Sequence, residues 1–165
     1  MTRTLIAAAV VALMLAVPAS ALAPQKITRN GVGQVKLGMT FKELHDKGLV
    51  GRLRRGCELG GPDTRIARLR SPLRGAVDFT QTTPRNVTNI TILRGARARG
   101  VKVGDRIRDI KDAYPKAKVN KQTEEVFGVW LVRVPRDGGG RITFSVPVDT
   151  KRIDRIGVPF IPFCE

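Results

Sequence analysis

Side chains that commonly act in catalysis are scarce in this sequence of 165 residues. Its single histidine, His45, lies beside Asp46, and a histidine that serves as a general base needs a nucleophile within hydrogen-bonding reach. After residue 23 the serines are Ser71 and Ser145, and neither lies in a nucleophile elbow. We therefore predict a protein that is not an enzyme, with His45 at the boundary of an apolar helix face.

Three aspartates, Asp105, Asp109 and Asp112, are spaced so that they share one helix face, and a hard cation would need such oxygen ligands. A simpler interpretation is structural, because Asp105 is predicted as the N-cap and Asp109 gains from the helix N-terminus. Three cationic residues, Arg106, Arg108 and Lys111, lie among them, and no loop supplies further ligands. We expect no metal, no cofactor and no small-molecule substrate.

Positive charge dominates the composition, with 30 lysines and arginines against 14 acidic residues and a net charge of +16. Such a surface attracts anionic partners, although a coding bias toward arginine would give the same composition. Aromatic residues are not interleaved with the basic clusters and no recognition helix is visible, so no specific nucleic acid is expected. The candidate binding residues are Arg68, Arg70, Trp130, Arg133 and Arg155.

Trp130 has two interpretations. It lies in the segment 126–134, which is apolar on both faces and is predicted as the longest strand. A core position is favoured, because a binding face is seldom so continuously apolar. If Trp130 instead faces the open side beside Arg133, it would be an anchor of a binding interface.

The N-terminus resembles a secretory signal peptide. Arg3 is followed by an apolar run over 5–17 and by a small-residue cleavage signal at 21–23. The run is too short for a membrane span, which needs roughly 20 residues. We expect residues 1–23 to be removed, the mature chain to have no transmembrane segment, and the protein to be secreted or held in the cell envelope.

Two cysteines, Cys57 and Cys164, are present. An even count in an exported chain favours a disulfide, and two free thiols are the alternative. A bridge would join the first half of the chain to the extreme C-terminus.

A ten-residue pattern occurs twice in the sequence and indicates how the chain is organised. Residues 35–44 read VKLGMTFKEL and residues 101–110 read VKVGDRIRDI. Each copy combines a strand end, a glycine and the start of an amphipathic helix. In the first copy, Thr40 and Glu43 are spaced as a capping box, and Gly48 is suited to end the helix.

Strand-like segments follow each helix at an offset of 65 or 66 residues, with a turn at 137–140. They cover 66–69, 76–81 and 87–93, and then 126–134, 141–146 and 153–158. We predict an α+β fold of two tandem repeats, each a short helical segment and about three antiparallel strands, sharing one antiparallel sheet with the helices on one face. The repeats span 24–93 and 101–165, joined by a basic linker at 94–100, in one compact domain. The predicted core residues are Val77, Phe79, Ile90, Ile92, Ile142, Phe144, Ile156 and Val158.

The segment 34–44, QVKLGMTFKEL, with a cysteine soon after it, resembles the start of a repeat in the β-lactamase inhibitory proteins. The resemblance implies a secreted tandem-repeat protein in which helix-loop-helix units pack on one concave antiparallel sheet. It also implies inhibition of a secreted enzyme as an activity.

We expect a secreted, basic binding module that engages a protein or cell-envelope partner. Its binding surface would be the sheet face away from the helices, predicted to be open, together with the basic loops. Binding of a polyanion, such as a cell-wall polymer, anionic lipid or nucleic acid, is one alternative. Inhibition of a secreted enzyme such as a β-lactamase is the other.

Overall fold

The computed structural model of this protein describes residues 23–135 and 141–163. Nearly all of the predicted signal peptide, the predicted turn at 137–140 and Cys164 lie outside these residues. In the described part of the chain, no helix is long and apolar enough to cross a membrane. The helices are α1 (Phe41–Asp46), α2 (Ile107–Ala113), α3 (Glu124–Phe127) and a 3-10 turn, Glu58–Gly60. The strands are β1 (Gln25–Thr28), β2 (Gly31–Val32), β3 (Val35–Lys36), β4 (Val50–Arg55), β5 (Arg65–Leu69), β6 (Arg74–Phe79), β7 (Val87–Arg94), β8 (Ala96–Arg97), β9 (Lys118–Asn120), β10 (Val129–Val134), β11 (Ile142–Pro147) and β12 (Arg155–Val158).

Eight of these strands form one large antiparallel sheet in the order β4-β5-β6-β7-β12-β11-β10-β9. Its two halves join between β7 and β12, where Ile90 lies opposite Val158. A second, small sheet has the order β3-β2-β1-β8. The protein is therefore an α+β protein in which sheet predominates.

The main core lies between the helices and one face of the large sheet. Leu44 of α1 and Ile110 of α2 are both fully buried in it. The Phe41 ring packs on Phe79 of β6, with centroids 5.6 Å apart, and Tyr114 packs on Phe144 of β11 at 6.0 Å. All eight predicted core residues are at most 4% exposed, which confirms the prediction for this face.

The predicted start and end of α1 are confirmed. The Glu43 backbone N–H donates to Thr40 Oγ1 at 3.2 Å, and the Thr40 backbone N–H donates to Glu43 Oε2 at 2.7 Å. The second bond holds the pKa of Glu43 below its ordinary value. Gly48 follows the helix with a φ of +67°, a left-handed conformation that glycine adopts without strain.

The predicted N-cap of α2 is wrong. Arg106 is the N-cap, and its backbone N–H donates to Asp109 Oδ2 at 2.7 Å. Asp105 lies one residue too early, and its carboxylate accepts the Lys102 backbone N–H at 2.9 Å. It therefore closes the turn before the helix, while Asp109 satisfies a backbone donor at the helix start.

Each half of the sheet contains four strands, not the predicted three. The additional strands, β4 and β9, are the two edges of the sheet. Strand β4 has the sequence VGRLRR, in which arginines replace the apolar alternation of an inner strand; cations are common on edge strands because they discourage pairing with other chains. For this reason the alternation used to predict strands did not identify β4.

Two further boundaries differ from the prediction. Strand β10 begins at Val129 and not at 126, because Glu124–Phe127 form α3, which ends at Gly128 in a left-handed conformation. The start of the predicted first repeat contains β1, a strand that was not predicted, which pairs with β2 and runs parallel to β8. Strand β8 and the end of β7 lie within the predicted linker at 94–100, so that linker is part of the folded domain.

Candidate functional site

The candidate binding surface is the face of the large sheet that points away from the helices. Directly paired residues of an antiparallel sheet lie on the same face. The pairing traces one row of this face across seven strands. Its central members are small and its ends are cationic: Arg68, Ala76, Thr91, Gly157, Thr143, Arg133 and Lys118.

The centre of this face is covered by residues 159–163, hereafter the strap, and the face is hereafter the strap face. The Phe160 backbone N–H donates to Asn89 Oδ1 at 3.2 Å, and Thr143 Oγ1 donates to the Pro159 carbonyl at 2.9 Å. Asn89, Thr143 and Ser145 are at most 2% exposed. The prediction that this face is open is therefore wrong at its centre, because the chain's own C-terminal segment lies on it.

The strap approaches the sheet closely at Gly157. A Cβ atom on this glycine would lie 2.0 Å from the Phe160 carbonyl oxygen, so no side chain fits there. Ile161 of the strap is buried, and so are Val129 and Leu131, which alternate onto the strap face. These three residues lie outside the main core. The strap face therefore buries apolar surface of its own.

Phe163, at the described end of the strap, contacts both halves of the chain. Its ring stacks on Phe127 with centroids 4.3 Å apart, and its carbonyl oxygen lies 3.8 Å from Cys57 Sγ. Cys57 follows edge strand β4, whereas Phe127 precedes β10, and in a flat sheet these strands would be about 29 Å apart. The sheet must therefore curve around the strap. Cys164 lies outside the described residues, so its bridge to Cys57 stays a prediction.

The structure separates the five predicted binding residues. Arg68, Arg133 and Arg155 are on the strap face, while Arg70 lies one residue beyond the end of β5. Trp130 pairs with Val146 and is on the opposite face, so it is not an anchor beside Arg133.

Trp130 is instead held by neighbours on the helix side of the sheet. Its indole N–H donates to Glu124 Oε2 at 2.8 Å, and the Lys121 ammonium lies 5.0 Å from its ring centroid. The residue is half-buried. Its role in the structure is to dock α3 against β10.

Most cations of the strap face make no ion pair within the described residues. Among the residues that the structure describes, Arg54, Arg68, Lys118 and Arg133 make no side-chain ion pair, whereas Arg155 pairs with Asp154 at 2.9 Å. A groove of about 770 Å³ runs beside edge strand β9. Its described lining contains no acidic side chain and four cationic ones: Lys118, Lys121, Arg133 and Arg141.

Asp78 is the acidic residue that lies next to the strap. It pairs with Asn89 across the sheet, and Asn89 Nδ2 donates to Asp78 Oδ2 at 2.9 Å. Burial raises the pKa of Asp78 above its ordinary value, and the hydrogen bond from Asn89 opposes this shift. Asn89 thus connects a half-buried carboxylate to the strap backbone.

The residues considered for chemistry have structural contacts. His45 is exposed on α1, with its ring 5.4 Å from that of Phe41. The carboxylates of Asp105 and Asp109 accept backbone N–H groups at the start of α2. Within the described ranges, no group of three or more histidine, cysteine or acidic residues is arranged to hold a metal ion.

Comparison with known proteins gives no relative on which to base a function. A scan against protein-family models, a search of curated proteins and a search of solved structures each found no match.

Proposed function

We propose that this chain is a secreted, non-enzymatic binding module that engages an anionic protein or cell-envelope partner through the strap face and its basic surroundings. The observation that carries the proposal is the row of paired residues on this face. It has small residues at its centre and Arg68, Arg133 and Lys118 at its ends, and these three cations make no ion pair within the described part of the chain.

A protein or envelope partner is favoured over a bare polyanion because the face combines charge with apolar surface. Phe160 on the strap is 48% exposed, Leu93 on β7 is 48% exposed and Phe127 is 38% exposed. Aromatic residues and arginines together are typical of the energetically important positions in protein interfaces. A polyanion would use the arginines and leave the aromatic residues unused.

Salt distinguishes the two kinds of partner. The mature protein is immobilised and incubated with the envelope fraction of its own culture at about 50 and 200 mM salt, an interval over which phosphate-dominated binding falls steeply through counterion release. We expect retention of a partner at the higher concentration. Loss of all retention there would favour the polyanion alternative, and no retention at either concentration would contradict the proposal.

We also propose that the fold consists of two tandem repeats. Several contacts recur with an offset of 66 residues. Gly38 N–H donates to the Val87 carbonyl at 2.9 Å, and Gly104 N–H donates to the Ile153 carbonyl at 2.8 Å (104 − 38 = 153 − 87 = 66). The isolated bridge between 40 and 86 likewise has a counterpart between 106 and 152. The strand order, which runs from the outer to the inner strand in each half, supports the same interpretation.

Inhibition of a secreted enzyme is a second candidate. The eight-stranded curved sheet with α1 and α2 on one side supports the resemblance to the β-lactamase inhibitory proteins at the level of architecture. The test is a direct assay of β-lactamase hydrolysis with the purified protein. An absence of inhibition at micromolar concentration would rule out this candidate and leave the binding proposal in place.

A further inference from the structure

The strap is bound to the sheet in the way that a peptide ligand is bound. Its polar contacts use strap backbone: the Phe160 N–H is held by Asn89 Oδ1, and the Pro159 carbonyl by Thr143 Oγ1. Side chains that contact a ligand backbone accept many sequences, whereas pockets for alternate side chains give selectivity. In the strap, the side chain of Ile161 is buried, whereas the side chain of the preceding residue, Phe160, is 48% exposed.

The surface beneath the strap is built for close approach of a second chain. Gly157 and Ala76 lack bulky side chains, and the Gly157 position leaves no room between sheet and strap for even a methyl group. Ser145 Oγ is fully buried on this face and has no hydrogen-bond partner among the described residues. A buried hydroxyl without a partner is uncommon, and it offers a further contact to a chain that lies slightly differently from the strap.

The positive charge on the strap face favours an acidic ligand. Arg68 and Arg133 stand at opposite ends of the row that the strap crosses, and neither has an ion-pair partner within the described ranges. The sequence of the C-terminal segment, PFIPFCE over 159–165, combines proline, aromatic and acidic residues. Proline favours an extended backbone, so a proline-containing segment has less entropy to lose on binding.

From these contacts we infer that the strap face is a groove for an extended, acidic peptide segment that contains proline and aromatic residues, and that residues 159–163 occupy it as an intramolecular competitor. This inference rests on the proposed binding function and specifies the chemistry of its partner. A tethered segment competes at an effective concentration of roughly millimolar. An external peptide therefore binds well only when the strap is loosened.

The test uses the full mature chain and a fluorescent peptide that copies residues 159–165 with serine in place of the cysteine. The strap is loosened by Ile161→Asp with Cys164→Ser, which removes its buried side chain and its predicted bridge. The matched control is Phe160→Asp with Cys164→Ser, which has the same changes in charge and thiol at the exposed strap position. A third protein adds Asn89→Ala to the loosened strap. Fluorescence anisotropy gives the dissociation constants, and a scrambled peptide measures non-specific binding.

We expect the loosened protein to bind the peptide at least about tenfold more tightly than the unmodified protein and the matched control. The addition of Asn89→Ala should reverse most of this gain. No saturable binding by a folded loosened protein, or equal binding of the scrambled peptide, would overturn the inference. Because retention of a partner from the envelope fraction is measured separately, a protein that retains this partner but does not bind the peptide contradicts only this inference and leaves the proposed function standing.

A second measurement applies if the loosened protein does not fold. The unmodified protein is reduced, and hydrogen exchange of residues 159–163 is followed by mass spectrometry while the peptide is added. Displacement of the strap should accelerate exchange there in a concentration-dependent way, and the scrambled peptide should not. Unchanged exchange at saturating peptide would overturn the inference.

Discussion

Replacement of Gly157 by alanine tests directly whether the strap packs against the sheet at this position. A Cβ atom at this position would lie 2.0 Å from the Phe160 carbonyl oxygen, 2.5 Å from its carbon and 2.7 Å from Ile161 Cγ1. Two of these atoms are strap backbone, so no rotation of a side chain relieves the clash. The backbone of Gly157 has an ordinary conformation, so alanine itself fits the strand and the strap must move away.

The magnitude follows from the contacts that the strap would lose. Burial of Ile161 contributes about 1.5–3 kcal/mol, and the hydrogen bonds to Asn89 and Thr143 contribute about 1 kcal/mol each. Movement of the strap frees part of its backbone, and the conformational entropy regained offsets part of this loss. We expect the free energy of unfolding of the reduced protein to fall by about 1–3 kcal/mol. Exchange of the Phe160 amide hydrogen should accelerate at least about tenfold, since that amide loses its acceptor.

Gly51→Ala is the matched control, measured by urea unfolding and hydrogen-exchange mass spectrometry alongside Gly157→Ala. Gly51 also lies in a strand of the large sheet, but the nearest atom to its added Cβ is the Arg68 carbonyl oxygen at 3.8 Å, an ordinary contact. The amide hydrogens of the strap in Gly51→Ala should exchange at the same rate as in the unmodified protein. If the two variants have the same stability and the same strap exchange, the strap does not lie on Gly157 as described and the reasoning is refuted.

Three further predictions concern pH, a helix cap and the cysteines. The pKa of Asp78 in the folded protein exceeds its ordinary value of 3.8, so the folded state binds more protons between the two values and its stability falls as pH rises through that interval. Asp78→Asn should remove this dependence of stability on pH, measured as urea midpoints from pH 3 to 7. An unchanged dependence would show that another group causes it. Thr40→Ala removes the acceptor of the Glu43 backbone N–H and should cost about 1 kcal/mol of unfolding free energy; a loss below about 0.3 kcal/mol would mean that solvent replaces the cap. A thiol assay on denatured, unreduced protein should find Cys57 and Cys164 unreactive, and reduction should cost on the order of 4–5 kcal/mol; two reactive thiols would refute the bridge.

The core was predictable because alternation and burial coincide there. Val77 and Phe79, or Ile142 and Phe144, repeat with the period of a strand, and the structure buries all of them on the helix side. The edge strands were not predictable in the same way. Arg52, Arg54 and Arg55 interrupt the apolar pattern of β4, because an edge strand faces solvent and needs charge more than packing.

The strap was missed because its sequence has no strand or helix periodicity. The predicted bridge nevertheless has a consequence for the path of this segment. A bridge from Cys164 to Cys57 requires the C-terminus to cross from the centre of the sheet to its far edge. Pro159 and Pro162 cannot donate backbone hydrogen bonds to a neighbouring strand, so the segment lies on the sheet rather than in it. The sheet face on which Trp130 lies could not be predicted, because the segment 126–134 is apolar on both faces.

The central claim is that the cations of the strap face, and not net charge in general, bind the anionic partner. Two double variants remove equal charge from different surfaces: Arg68→Gln with Arg133→Gln on the strap face, and Lys36→Gln with Lys102→Gln, which are exposed and lie outside the strands of the large sheet. Their affinities for polyglutamate are compared at about 100 mM salt, where surface charges remain only partly screened. We expect a loss of about tenfold for the strap-face variant and less than about threefold for the other. Equal losses would show that the positive charge acts without regard to position and would contradict the claim.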